Sequence, residues 1–345
     1  MPTLAKVTEE TRSLLKLLGV AVVVGIIFYF LFQGVIAVKN IVAPPPPTPP
    51  ENKFGNTLPR VNFPVKTFDK LNYKINTVTG TLPQGPDRIK IYKTFEASPD
   101  INALGITRNT LANADFKLSE RKISDTVFSW TNENGTQISY DIYTKNFTIS
   151  SNYLQNPSTL ENIGNRKDRV RLAVISFLDS LGIDKSDMNL QKTAFTFYKI
   201  ENGKLVTTTN QTQAQIALVS LFQNDVDNTP INYPSEFGSV MNFYVGIVNN
   251  NPEVFAGDFT HTIVDIIDSS TYLVKTVNQA FEDLKKGNAY MVTNDPDVKN
   301  VDITNVTLGY YVGATIQPYL VPIFIFEGKN FKAYVQALPD TTLTN

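Results

Sequence analysis

The chain of 345 residues contains no cysteine, one histidine and one tryptophan. Without cysteine there is no disulfide framework, no thiolate metal site and no thiol nucleophile. A single imidazole, His261, excludes His-rich metal cages and any mechanism that needs two histidines. Charge of one sign is also missing: 31 basic residues face 32 acidic ones, a net charge of −1. Nucleic-acid binding by counterion release requires a basic surface, so nucleic acid is not expected as a partner. No Walker loop, dinucleotide-binding glycine pattern or nucleophile elbow occurs. What is present is apolar material for a real core, 42% hydrophobic and 11% aromatic residues.

The N-terminus carries the strongest single signal. Leu17 to Val38 is an uncharged run that includes Gly25 and Phe30. As a helix it spans roughly 33 Å, the thickness of a bilayer core. A cleaved signal peptide has a shorter apolar core followed by a small-x-small site, and here Lys39 and Asn40 follow instead. The run therefore reads as a retained transmembrane signal anchor. Lys6, Arg12 and Lys16 precede it, which places residues 1–16 in the cytoplasm and the rest outside the cell membrane. Residues 39–53 form a proline-rich stalk, with Ala43 to Pro50 reading as polyproline II.

Beyond the stalk, two extracytoplasmic α+β lobes are expected, at 54–155 and 156–345. Period-two alternation dominates: Phe128 and Trp130; Ile138, Tyr140 and Ile142; Met241, Phe243, Val245 and Ile247. Helical spacing marks Lys167–Leu181, with Gly182 behind it, and Val277–Lys286, with Gly287 behind it. A weaker helical pattern covers Asp100–Ala112. The expected fold class is α+β, mainly antiparallel sheet with a few packed helices. Two Glu-Asn-Gly triplets, at 133–135 and 201–203, suit type I′ hairpins, and each follows a helix. They suggest a repeated helix-then-hairpin unit, or simply two ordinary hairpins. Leu320 to Phe326 is apolar on both faces and reads as a central strand, with Pro322 calling for a bulge or an edge.

Chemistry is harder to find. His261 alternates onto the face of Phe259 and Ile263, with no serine or carboxylate set beside it by local spacing. The acidic pairs Asp225/Asp227 and Asp295/Asp297 lack the glycine and terminal glutamate of a calcium loop and read as solvated turns. No pattern calls for a metal, a cofactor or catalytic residues. Trp130 is a contact residue if exposed and core otherwise. Abundant tyrosine and asparagine would also suit a glycan-binding face.

The C-terminal quarter reads Ala280-Phe281, Leu284, Gly287, then Leu308-Gly309-Tyr310-Tyr311, then Leu320-Val321-Pro322-Ile323-Phe324, then Phe331 and Tyr334-Val335-Gln336-Ala337. It resembles the C-terminal region of the YycH/YycI family, single-anchor extracytoplasmic regulators of a cell-wall sensor kinase. The resemblance implies PepSY-like helix-plus-sheet units and a non-enzymatic regulatory role. It also makes Tyr310 and Tyr311 candidate interaction residues. Residues 56–150, with Gly80-Thr81-Leu82-Pro83 and Val127-Phe128-Ser129-Trp130, look like uncharacterised single-anchor proteins of small-genome bacteria. The expected function is a membrane-anchored, non-catalytic module acting on another envelope protein, a sensor kinase or protease. A surface binder of cell-wall glycan is the alternative, and an envelope hydrolase the third.

Overall fold

The computed structural model describes residues 51–344 apart from 65–70, 96, 156–158, 236 and 296, together with residues 25, 26, 28 and 29. Gly25, Ile26, Phe28 and Tyr29 are helical, whereas Leu17, Phe30, Val38 and the prolines of the stalk lie outside the described residues. Among the described residues, no helix is long and apolar enough to cross a membrane. From Pro50 onward the chain forms one compact unit.

That unit is α+β and mostly antiparallel, with three α-helices among its described residues: α1 (Ala103–Asn113), α2 (Lys167–Ser180) and α3 (Val277–Lys286). An inner lobe is built on a ten-stranded antiparallel sheet. Its path runs from the hairpin Ala194–Glu201/Lys204–Thr207 through Ile216–Ser220, Met241–Val248 and Asn251–Phe259. It continues through Phe147–Ser150, Gln137–Asp141 and Val127–Thr131 to Leu118–Lys122. Period-two alternation sorts the side chains between the faces. On Ile216–Ser220, Ala217 and Val219 join the core beneath α1 and α2, whereas Ile216 and Leu218 join a smaller cluster with Tyr198. α2 buries Val170, Val174 and Leu178 in the larger core, and Gly182 takes the left-handed φ of 64° that ends the helix.

The outer lobe is built from segments on both sides of the inner lobe in sequence. Its main sheet is ordered Ile231–Asn232, Asn300–Tyr311, Tyr319–Gly328, Phe331–Gln336, Tyr290–Asn294. Arg88–Thr94 joins Val264–Leu273 to this sheet, and Leu58 pairs with Leu343. The expected boundary at residue 155 does not divide the molecule: Gly257 pairs with Ile149, so one ladder runs across it. Residues 103–259 are instead inserted between the two halves of the outer lobe, because inner-lobe strands from both sides of 155 complete one another's hydrogen bonds.

α3 is specified locally. Thr276 and Gln279 form a reciprocal capping box, Lys285 and Lys286 lie in the last turn, and Gly287 closes the helix at φ 84°. Its apolar side, Val277, Ala280, Phe281 and Leu284, is buried in the outer core. The two hairpins differ from each other. Asn202 and Gly203 both have positive φ, as a type I′ turn requires. In the other, only Gly135 does, and the loop is longer because the Asn132 side chain accepts the Thr136 N–H at 2.9 Å.

Pro322 makes no bulge: it pairs in register with Tyr310 on one flank, and on the other it lies in the gap between the Leu320 pairing with Arg88–Thr94 and the ladder with Phe331–Gln336, which begins at Ile323, so it has the local edge that a proline calls for. The Ala337 N–H donates to the Pro322 carbonyl at 3.0 Å. The return bond would need an N–H that proline lacks. The Ala337 carbonyl is satisfied by the Lys275 N–H instead, at 2.8 Å.

Between strands Ile216–Ser220 and Met241–Val248 the chain leaves the inner sheet as a strap, residues 221–240, and adds Ile231–Asn232 in parallel to the outer sheet. Tyr233 is 1% exposed there. Its hydroxyl accepts the Gln223 N–H at 3.1 Å and its carbonyl accepts the Tyr334 hydroxyl at 3.1 Å. Gly309 makes the approach possible: a Cβ at that position would collide with the Asn232 side chain and stand 2.7 Å from Ile325.

Lys275 and Asp283 form an ion pair of 2.6 Å with side chains only 9% and 17% exposed. Lys275→Met is expected to destabilise the full chain by about 2–4 kcal/mol, because it strands a carboxylate in the core. Lys275→Met combined with Asp283→Leu should recover most of that loss. Urea unfolding of the three proteins measures both.

Candidate functional site

A cleft of about 540 Å³ opens where the strap meets the crossing between lobes. Its lining combines the carboxylates of Asp184, Asp187, Asp225 and Asp227 with apolar Val226, Ile231, Ile263, Val264 and Ile266. The first two aspartates come from the loop that follows α2. Asp184 accepts both the N–H (2.9 Å) and the hydroxyl (3.0 Å) of Ser186. These bonds, first the backbone one, hold its carboxyl below the ordinary value of 3.8.

Asp187 is the hub. Both its carboxylate oxygens lie 2.9 Å from His261 Nε2, and Gln223 Nε2 donates to Oδ2 at 3.0 Å. The same Gln223 amide nitrogen donates to the Thr262 carbonyl at 2.9 Å. His261 is 8% exposed, its ring centroid 5.7 Å from that of Phe259, and its backbone N–H donates to Asn146 Oδ1 at 2.9 Å. The expected alternation through this segment ends at Phe259: the strand stops there, and Ile263 is 46% exposed rather than buried with its neighbours. Residues 184–187, 223–227 and 261–266 thus meet in space although no local spacing links them.

Asp227 sits on a tight turn, with Asp227 and Asn228 at φ 48° and 59°. Its Oδ2 accepts from Lys90 Nζ at 2.7 Å and from the Tyr92 hydroxyl at 2.5 Å. The Lys90 bond, then the Tyr92 bond, lower its pKa. The pair Asp225/Asp227 sits on an exposed turn, as the sequence suggests, and that turn also lines the cleft. In the other pair, the Asp297 N–H donates to Asp295 Oδ1 at 3.1 Å, a turn-forming contact. Among the described residues, no group of three or more His, Asp or Glu is placed to hold a metal ion.

Beside the cleft is an exposed apolar tip. The ladder between Arg88–Thr94 and Val264–Leu273 slips between Asp265 and Ser269, so residues 266–268 loop outward. Ile266 and Ile267 are 71% and 90% exposed. The loop is tied down: Asp265 Oδ1 accepts the N–H groups of Ile267 and Asp268, and Asp268 bridges Lys53 (2.6 Å) and Lys93 (3.2 Å). Exposed Phe95 is fastened alongside by its N–H to the Ile263 carbonyl. The doublet Ile266-Ile267 between two aspartates interrupts alternation in the sequence, and it is the one local signal that could have marked this surface.

The residues singled out as contacts lie elsewhere, and all three are buried. Trp130 is 2% exposed and donates its indole N–H to Glu120 at 3.1 Å. Tyr310 is 1% exposed and donates to the Lys90 carbonyl. Tyr311 is 2% exposed and packs edge-on against Phe63. Each serves the core because it faces inward on a strand covered by other elements.

Asp227→Asn keeps a residue that tolerates positive φ and removes only the charge. A carboxyl whose folded pKa is lowered stabilises the fold above its unfolded pKa of about 3.8 and loses that contribution as pH falls through the lower folded value. Wild type should thus melt slightly above Asp227→Asn at pH 7. The difference should vanish in strong acid. Thermal melts across pH check this, and the effect should be small because the Lys90 pair is half exposed.

No protein-family model matches this chain, and no curated protein matches it. A crystal structure described as an uncharacterized protein from Eubacterium rectale ATCC 33656 is similar at 12% identity, covering 77% of this chain and 88% of that one, with a TM-score of 0.39. That likeness is too distant to assign a role.

Proposed function

We propose that this protein is a membrane-anchored extracytoplasmic interaction module that regulates another envelope protein, a sensor kinase or protease, without performing chemistry itself. The observation that carries the reading is the rigid isoleucine tip beside the four-aspartate cleft. Exposed apolar side chains on a pinned loop lose little conformational freedom on binding, and a polar rim around an apolar patch is the anatomy of a protein interface. The chemistry that complements it is a basic and apolar segment, with Lys or Arg entering the cleft and apolar side chains covering Ile266 and Ile267.

The arrangement around His261 supports the non-catalytic reading. Asp187 takes one ring nitrogen of His261, while the hydroxyl of neighbouring Ser186 donates to Asp184 instead of to the ring. In a Ser-His-Asp relay the carboxylate takes one ring nitrogen and the serine hydroxyl gives its proton to the other. The layout of α1 and α2 over one face of an antiparallel sheet is consistent with PepSY-like units and with the role implied by the YycH/YycI resemblance. The Leu17–Val38 anchor, with the ectodomain outside the cell membrane, belongs to the same proposal.

A photo-crosslinking residue at position 267 should capture one defined membrane protein in intact cells, and the same residue at position 122 on the far sheet edge should not. Ile266→Ser with Ile267→Ser should reduce recovery at least about tenfold without lowering the melting temperature. Binding should weaken with added salt, since the cleft acts by charge. It should persist from pH 7 to about pH 5, because Asp184 and Asp227 titrate below 3.8. Equal capture at both positions would overturn the proposal.

A further inference from the structure

A second concavity, about 630 Å³, lies in the inner lobe, well away from the cleft in composition and in lining residues. Its origin is a split in the ten-stranded sheet. Strands Phe147–Ser150 and Asn251–Phe259 pair from Phe147↔Phe259 to Ile149↔Gly257 and then part. Ser151, Asn152 and Tyr153 line one bank, and Glu253, Val254 and Phe255 the other. The turn at Asn132, Asn134 and Thr136 closes one end, and Phe177 of α2 forms part of the floor.

The lining has a definite chemical character. Among the described residues that line it, amides and hydroxyls predominate in the polar groups, Glu253 is the one carboxylate, and there is no lysine, arginine or histidine. Anionic ligands such as phosphates and nucleic acid have no counter-charge there. Tyr153 and Phe255 stack at a centroid distance of 5.3 Å and 15° between planes, so an aromatic pair lines the groove. Burial pushes the Tyr153 hydroxyl up to about 12, so it remains a neutral donor at physiological pH. Neutral donors and acceptors around an aromatic pair match a ring that is hydroxylated at its edge and carries C–H groups on its face.

An added polypeptide strand fits this place less well. Strand addition needs an unbroken row of backbone donors and acceptors on a sheet edge. The bank Asn251–Phe259 includes Pro252, which has no N–H, and its register against Met241–Val248 slips at Tyr244/Val245.

We infer that this groove binds a neutral carbohydrate chain. The inference is independent of the isoleucine tip, so the two sites can be tested separately. The probes are the N-acetylglucosamine tetramer and the glucose tetramer, titrated calorimetrically into the full chain in detergent micelles. Saturable binding of at least one is expected. Tyr153→Ala and Asn134→Ala should each weaken it about tenfold, and Ile266→Ser with Ile267→Ser should leave it unchanged. Asn134 lies in a solvent-exposed turn, so its variant tests the groove even if Tyr153→Ala fails to fold. No saturable binding of either sugar, binding untouched by Asn134→Ala, or saturation by an uncharged extended peptide in place of sugar would overturn the inference.

Discussion

Tyr233 is the point on which the two lobes depend. It is buried on a strap that leaves one sheet and joins another, and both its hydroxyl and its carbonyl are engaged by groups on either side. The hydroxyl holds Gln223, Gln223 holds Asp187 and Thr262, and Asp187 holds His261. The strap's other turn presents Asp227 to Lys90 and Tyr92 of the outer lobe. Removing the junction would therefore dismantle the cleft as well as loosen the lobes. A buried network of this kind is cooperative because each polar group is satisfied by the next, and any gap leaves an unpaired group away from water.

The same junction gives a physical meaning to the Leu308-Gly309-Tyr310-Tyr311 segment. Gly309 is the position at which the strap lies too close for a side chain, and Tyr310 and Tyr311 pair with Ile231 and Asn232. A motif that invites reading as a contact surface proves to be the seat of the strap on the outer sheet. Aromatic residues next to a glycine on a strand are ambiguous in this way, because close backbone approach and partner recognition demand similar residues.

What was legible in the sequence was what is determined locally. α3, with its periodic stripe, basic last turn and Gly287, was readable in full. So was Tyr319–Gly328, whose two apolar faces imply cover on both sides. Strand identity was readable, but strand partnership was not: nothing local says that Ile149 meets Gly257 or that residues 103–259 are an insertion. The cleft escaped for the same reason. His261 and Asp187 are 74 positions apart and are joined only by the fold. Pro322 shows a local rule that held: its missing N–H falls in the gap between two ladders on one flank, and the Lys275 N–H satisfies the Ala337 carbonyl there.

The nesting of one lobe within the other sets an order of assembly. The inner lobe can pair all but its strap as soon as Phe259 has emerged, since its strands find partners within residues 118–259. Arg88–Thr94 is made long before its partner Val264–Leu273, and Leu58 has to wait for Leu343, almost the last residue of the chain. Until those partners emerge, the early strands have open edges and apolar side chains in contact with whatever surrounds the nascent chain. Closing the outer lobe thus joins strands far apart in sequence, a long-range step that follows pairing of the inner lobe.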